Sequence, residues 1–234
     1  MPSPTPKACI LIPAYNEERH IAAVIRECRE YCPDVIVIDD GSPDHTARAS
    51  ADAGATVLEH VHNQGKGAAL QTGFDYARAH GFDLAITLDG DGQHAPSDIP
   101  AFLQAYARTH SSVLVGTRMG DLAHMPALRR FVNRFMSSLL SRTMGQHVPD
   151  SQCGFRLYHR SAFPQGPHDP SSRRFAAESE ILLRLSLQGF KIGAVAIQTI
   201  YGDEKSKVNP LTDTIRFFRM LRRFRKIKKE FLAP

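Results

Sequence analysis

Apolar residues in this chain gather in short unbroken runs, and each run stops at a polar cluster. Ala8-Cys9-Ile10-Leu11-Ile12 ends at Pro13, Val35-Ile36-Val37-Ile38 ends at Asp39-Asp40-Gly41-Ser42, and Leu84 to Leu88 ends at Asp89-Gly90-Asp91-Gly92-Gln93-His94. Continuous rather than alternating runs of this length predict strands buried on both faces. Thr56-Val57-Leu58 and Val113-Leu114-Val115 add two more. Between the runs the spacing changes. Ile21, Val24, Ile25 and Cys28 recur at helical intervals, and helical patterns cover Asp44 to Ala53, Gly67 to His80 and Ser97 to Thr109. This alternation predicts an α/β fold with a mostly parallel central sheet flanked by helices on both faces. Ligands of such sheets sit at the carboxyl ends of the strands, where the polar clusters after Ile12, Ile38 and Leu88 all fall. The second half is less regular. It predicts a helix from Ala127 to Met144, a turn or strand at Gly154 to Tyr158, a helix from Ala177 to Gln188 and a strand from Ile192 to Ile197, with a loop at Pro164 to Ser172.

The cluster after Leu88 carries the clearest chemistry. Alternate residues of an extended segment face one way, so Asp89, Asp91 and Gln93 can converge on one cation while Gly90 and Gly92 keep bulk away from a ligand. Hard oxygen donors favour Mg²⁺ or Mn²⁺, and Mg²⁺ is commonly shared with a substrate's phosphates, so a nucleoside diphosphate is the simplest occupant. A polar turn after a strand is the plainer alternative. A calcium loop of the EF-hand type is excluded, because His94 and Pro100 stand where that loop needs glycine and glutamate. Asp39 beside Asp40 needs a ligand or a donor network, since adjacent carboxylates repel. Gly65-Lys66-Gly67 opens a helix, a place that favours phosphate, although Lys66 there also suits a solvated helix start.

Composition narrows the class. A chain of 234 residues, 42% of them hydrophobic, fits one large domain better than two small ones. The four cysteines form no C-x-x-C pair, which points to buried thiols in a reducing cytosol. Met1 to Lys7 reads as a flexible start without the apolar core of a signal peptide, and no run is long enough to span a bilayer. The net charge of +5 belongs to the tail, where residues 216–230 carry eight Lys or Arg against one Glu. Phe217, Met220, Leu221, Phe224, Ile227 and Phe231 fall on one arc of a helix there. A basic amphipathic helix over residues 211–234 suits an anionic membrane surface, or a docking site on the domain itself through the same arc. Nucleic acid is not an expected partner, because one basic helix without a recognition motif makes no docking surface.

Taken in order, Pro13-Ala14-Tyr15-Asn16-Glu17, Asp39-Asp40-Gly41-Ser42-Pro43-Asp44, Gly65-Lys66-Gly67-Ala68-Ala69-Leu70 and Asp89-Gly90-Asp91-Gly92-Gln93-His94 resemble glycosyltransferase family 2. Gly116-Thr117-Arg118, Cys153-Gly154-Phe155-Arg156 and Glu204-Lys205-Ser206-Lys207 narrow the resemblance to its dolichol-phosphate mannose synthase-like, polyprenyl-phosphate branch. The likeness runs from about Ala8 to Pro210. It implies a GT-A type domain over residues 8–210 and a metal-dependent, inverting transfer of sugar from a UDP- or GDP-linked donor to a membrane polyprenyl phosphate. The resemblance assigns Pro13, Tyr15, Glu17, Ile38 and Asp40 to the base and ribose pocket. It assigns Asp89, Gly90, Asp91 and Gln93 to the metal and diphosphate, and Lys66 and Lys207 to the donor's phosphates. Arg118, Arg130 and Arg134 fall to the lipid phosphate, with Asp91 and these arginines as the catalytic set. Asp150, Gln152, Glu178 and Glu180 fall on the acceptor side.

A phosphate acceptor is already anionic and attacks without a base, whereas a hydroxyl acceptor would need one, with Asp150, Glu178 or Glu180 as the candidates. A sugar nucleotidyltransferase would carry a glycine- and arginine-rich loop after the first strand, which is absent. A membrane-binding module on an inactive fold is the non-enzymatic alternative. The expected location is the cytoplasmic face of the membrane, held peripherally.

Overall fold

In the computed structural model, which describes residues 5–118, 127–165, 175–198, 200, 218–219, 221–222 and 224, the first two apolar runs form strands β1 (Ala8–Ala14) and β2 (Val35–Asp39). Helix α1 (Ile21–Tyr31) joins them and buries Ile21, Val24, Ile25 and Cys28, the stripe that its sequence spacing marks. The chain continues through α2 (Thr46–Asp52), β3 (Thr56–Glu59), α3 (Lys66–Ala79), β4 (Leu84–Thr87), α4 (Ile99–Thr109) and β5 (Val113–Thr117). The second half supplies α5 (Ala127–Met144), β6 (Arg156–His159), α6 (Phe175–Leu187) and β7 (Ile192–Ala196). From β1 to β7 the element kinds agree with the sequence expectations, with boundaries shifted by a residue or two, a 3-10 turn at Pro96–Asp98 leading into α4 and a strand where the sequence allows a turn or strand before Tyr158. Most of the expected helix over 211–234 lies outside the described residues.

The strands form one sheet in the order β3-β2-β1-β4-β6-β5-β7. Every pairing is parallel except those of β6, which runs antiparallel between β4 and β5. This register decides where the site lies. Parallel β1, β2 and β4 end on one rim, with Ala14 opposite Asp39. Because β6 is reversed, its first residue, Arg156, sits opposite Thr87, the last of β4, and opposite Val115 of β5. The segment 150–155 that leads into β6, and Arg118 just past β5, are thereby carried to the same rim. The rim's far side is closed by a core of wholly buried side chains, among them Ile10, Leu11, Ile12, Phe74, Phe102 and Phe155.

All four cysteines are free and buried, and burial pushes the Cys28 and Cys153 thiols up to about 12, as befits structural rather than reactive groups. Lys7, expected within a flexible start, is tied down. Its N–H donates to Asp83 at 2.9 Å, and its ammonium lies 4.2 Å from the centre of the Phe82 ring. In the tail, Leu221 and Phe224 are buried in the same cluster as the sheet, while Phe218, Arg219 and Arg222 are exposed. These two members of the expected apolar arc therefore pack on the domain.

Candidate active site

The rim is stitched from its ends. After β1 the chain turns through Asn16, whose φ of 57° lies in the left-handed region that asparagine tolerates. Its N–H donates to Ser42 Oγ at 3.0 Å and that of Glu17 to Thr46 Oγ1 at 2.9 Å, binding the turn after β1 to the turn after β2. Pro13 and Glu17 are half-buried, Ile38 is buried, and Tyr15 stands 41% exposed at the edge.

The adjacent carboxylates after β2 are reconciled by donors. Asp39 takes the N–H and hydroxyl of Ser42. Asp40 accepts from Gln64 N at 2.9 Å, from Gly65 N at 2.7 Å and pairs with His60 Nδ1 at 2.7 Å. The other ring nitrogen of His60 meets Thr72 Oγ1 at 2.9 Å. All described partners of the Asp40 carboxylate thus belong to the loop between β3 and α3. That loop ends at Gly65, with a φ of 96° that glycine accepts without strain, and places Lys66 at the first position of α3.

Lys66 reaches the centre of the rim. Its ammonium donates to Asp89 Oδ1 and lies 3.0 Å from Glu178 Oε1 on α6. His94 Nε2 is 3.7 Å from the other oxygen of Asp89. Burial would raise the Asp89 carboxyl, but Lys66 and His94 outweigh it and hold the group well below the usual carboxylate range. Burial likewise opposes the charge on Lys66, and Asp89 and Glu178 more than restore it. Asp91 is shifted the other way, upward, by burial and by the negative charge of Asp89. Its one described hydrogen bond is from Gln93 N at 3.1 Å.

These residues fit a hard divalent cation. Asp89, Asp91 and Gln93 offer oxygen donors at one turn, and a cation beside Asp91 would relieve the repulsion that raises it. Among the described residues no cluster of three or more His, Cys, Asp or Glu forms a self-sufficient metal cage. A cation here would draw remaining ligands from an amide or a substrate. The backbone is shaped for close approach, since a Cβ on Gly154 would stand 2.8 Å from Glu178 Oε1 and 3.0 Å from Asp89 Oδ2. Gly154→Ala is therefore expected to cost about 1–3 kcal/mol by overpacking, read as a lowered midpoint in denaturant; an unchanged midpoint would show that the carboxylates can move aside.

On the other side of β6, Arg118 is buried and forks onto Asp150, Nε at 2.7 Å and Nη2 at 3.0 Å. Gln152 is half-buried, donating to Ser179 Oγ at 3.2 Å. Glu180 is buried against Arg184, one turn on, at 2.6 Å. Arg130 and Arg134 lie on α5, half-buried and exposed respectively. Ser137 follows Arg130 by two turns, so the two share a flank. Ser137 Oγ takes the N–H of Ser151 at 2.9 Å, which sets this flank beside the segment that carries Asp150. Lys207 lies outside the described residues, as do residues 166–172 of the expected loop.

The family model described as Glycosyl transferase family 2 matches residues 9–166. The chain belongs to this family. It is a glycosyltransferase of GT-A fold. Its relatives include the UDP-N-acetylglucosamine–dolichyl-phosphate N-acetylglucosaminyltransferase of Methanococcus voltae, 31% identical over 213 residues that span 82% of this chain and 85% of that protein. The undecaprenyl-phosphate mannosyltransferase of Micrococcus luteus is 30% identical over 198 residues, 80% of this chain and 81% of that one. Among solved structures, glucosyl-3-phosphoglycerate synthase from Mycobacterium tuberculosis in complex with Mg²⁺ and uridine diphosphate superposes with a TM-score of 0.64 at 21% identity, covering 97% of this chain and 79% of that one. At that identity the likeness is one of fold.

Two contributors to the transferase's rim, His60 and Arg156, are given no role by the sequence expectations, although Arg156 closes one of the motifs that carry the resemblance. His60 fixes Asp40 and through it the loop that delivers Lys66. Arg156, wholly buried, donates to the carbonyls of Cys153 at 2.7 Å, Glu178 at 2.8 Å and Ser151 at 3.0 Å, and to Tyr158 Oη at 3.3 Å. It clamps the segment 150–154 to α6. The available signal was an arginine set among apolar strand residues, which survives burial only with a full set of acceptors.

Proposed function

We propose that this enzyme transfers a sugar from a UDP- or GDP-linked donor to a membrane polyprenyl phosphate, using Mg²⁺ or Mn²⁺ and inverting the anomeric carbon. The observation that carries the choice of acceptor is that each of the three candidate bases, Asp150, Glu178 and Glu180, is paired with a cation. Asp150 is held by Arg118, Glu178 by Lys66 and Glu180 by Arg184. The carboxylate oxygens that these cations engage are already taken as acceptors, whereas a lipid phosphate needs no base. The names of the relatives from Methanococcus voltae and Micrococcus luteus, both transferases to lipid phosphates, support the same choice.

In this reading Pro13, Tyr15, Glu17 and Ile38 receive the base and ribose, with the exposed Tyr15 ring as a stacking face. Asp40 holds the loop that borders this pocket. Asp89, Asp91 and Gln93 hold the cation, which when bound would supply charge neutralisation to the departing nucleoside diphosphate. Lys66 serves the donor phosphates, the role that the resemblance also gives to Lys207. Arg118, fixed in orientation by Asp150, receives the lipid phosphate with Arg130 and Arg134, guanidinium forks being suited to that group. Attack by the bound phosphate oxygen on the face opposite the leaving group inverts the sugar.

We assign the enzyme a peripheral position on the cytoplasmic face, where a lipid-phosphate acceptor would be met; among the described residues no helix is long and apolar enough to cross a membrane. With Leu221 and Phe224 packed on the domain, the tail's contribution to membrane binding is the charge of residues such as Arg219 and Arg222.

The test is a choice between acceptors. Enzyme, nucleotide-sugar and Mn²⁺ are incubated with a polyprenyl phosphate or with the matching polyprenol. The reading requires a glycosyl phosphate lipid from the first and nothing from the second; product from the alcohol alone would assign a base-dependent transferase.

A further inference from the structure

Helix α5 has two unlike faces. Asn133, Ser137, Leu140 and Met144 are buried against the domain. On the opposite side Phe131 is 68% and Phe135 50% exposed, one turn apart, their rings nearly parallel with centres 6.4 Å apart. Arg134 and Arg142 are exposed beside them. The helix carries four arginines and no acidic residue. Two large aromatic side chains left in water on one rigid helix mark a surface that is covered in use.

From this face we infer a lipid-binding surface: Phe131 and Phe135 insert into the headgroup region of an anionic bilayer while Arg142 binds its phosphates, which brings a membrane-held acceptor to Arg130 and Arg134. Charge chooses the occupant. An aromatic pair on a helix whose charged residues are all arginines complements anionic headgroups, and an amphipathic helix with this composition lies in the plane of such an interface. A second copy of the chain would set one all-basic helix against another, a like-charge juxtaposition that disfavours association through this face. The position also serves the site, because the helix that would touch lipid is joined by Ser137 to the segment 150–154 beside Arg118. The inference rests on the lipid-acceptor reading for its purpose, but its physical content, binding to a bilayer, can be tested without any acceptor.

The experiment uses the full chain and vesicles of phosphatidylcholine with or without phosphatidylglycerol, with partitioning read by co-flotation. Wild type should bind the anionic vesicles and lose them as salt rises. F131S/F135S should partition at least about tenfold more weakly, given the apolar area of two Phe rings. R142Q should weaken binding roughly fivefold and flatten its salt dependence. Melting temperatures should match wild type, since all three side chains are exposed. Failure of wild type to bind anionic vesicles, or equal binding by F131S/F135S, overturns the inference. So does a wild-type dimer in sedimentation that F131S/F135S converts to monomer. A water-soluble, short-chain prenyl phosphate separates the two readings. Equal turnover by wild type and F131S/F135S is expected; no turnover by wild type would sink the acceptor reading and leave the bilayer surface to be judged by flotation alone.

Discussion

Replacing Asp91 with alanine should lower sugar transfer by about 10²-fold or more while leaving the fold as stable as wild type. Both halves of this expectation come from the position of the side chain. Asp91 is half-buried, makes one described hydrogen bond, to a backbone N–H two residues on, and has no described side-chain partner. Little of the fold depends on it. Yet burial and the charge of Asp89 raise its proton affinity, a cost that the folded chain bears and that a bound cation would remove. Asp91→Asn is the informative control, because it keeps the volume and hydrogen-bonding shape but not the charge. If Asn restores transfer, a role in holding a cation by charge is wrong. The checks are initial rates at saturating donor and a thermal melt of each variant.

The second large effect belongs to a residue that is assigned no contact with substrate. Arg156→Met should destabilise the protein by about 3–5 kcal/mol, because it strands buried acceptors that a thioether cannot serve. Three carbonyl oxygens and the Tyr158 hydroxyl accept from this one guanidinium. Their owners make the loss functional as well. Ser151 and Cys153 lie within the segment that runs from Asp150 to Gly154, while Glu178 partners Lys66. Arg156→Lys should recover only part of the stability, since an ammonium cannot reproduce the planar fork. Denaturant midpoints of the three proteins check this, and a Met variant as stable as wild type would show that water or backbone movement supplies the missing donors.

The first half of the fold is legible in the sequence because parallel strands buried on both faces write themselves as unbroken apolar runs, and the polar residues that end those runs mark the rim. Strand β6 is harder to read. Arg156 interrupts its apolar signal, and nothing local states that it returns antiparallel, although that reversal is what carries residues 150–155 to Asp89. The rim's contents, from Asp39-Asp40 to Asp89-Gly90-Asp91, could be picked out from residue type alone. Their partners could not. Lys66 and Glu178 lie 112 positions apart in the chain and meet only because α3 and α6 begin at the same edge. The same holds for Arg118 with Asp150 and for His60 with Asp40. The tail shows a different limit. A helical arc of Leu and Phe has one periodicity whether it meets lipid or protein, and only the packing of Leu221 and Phe224 separates the two.

Transfer measured after the enzyme is stripped with a chelator tests the central claim most directly. With nucleotide-sugar and polyprenyl phosphate supplied, no glycosyl lipid should form until Mg²⁺ or Mn²⁺ is returned, and Asp91→Ala should stay silent after the addition. Product formed at an undiminished rate in the presence of excess chelator would contradict a cation held at Asp89 and Asp91.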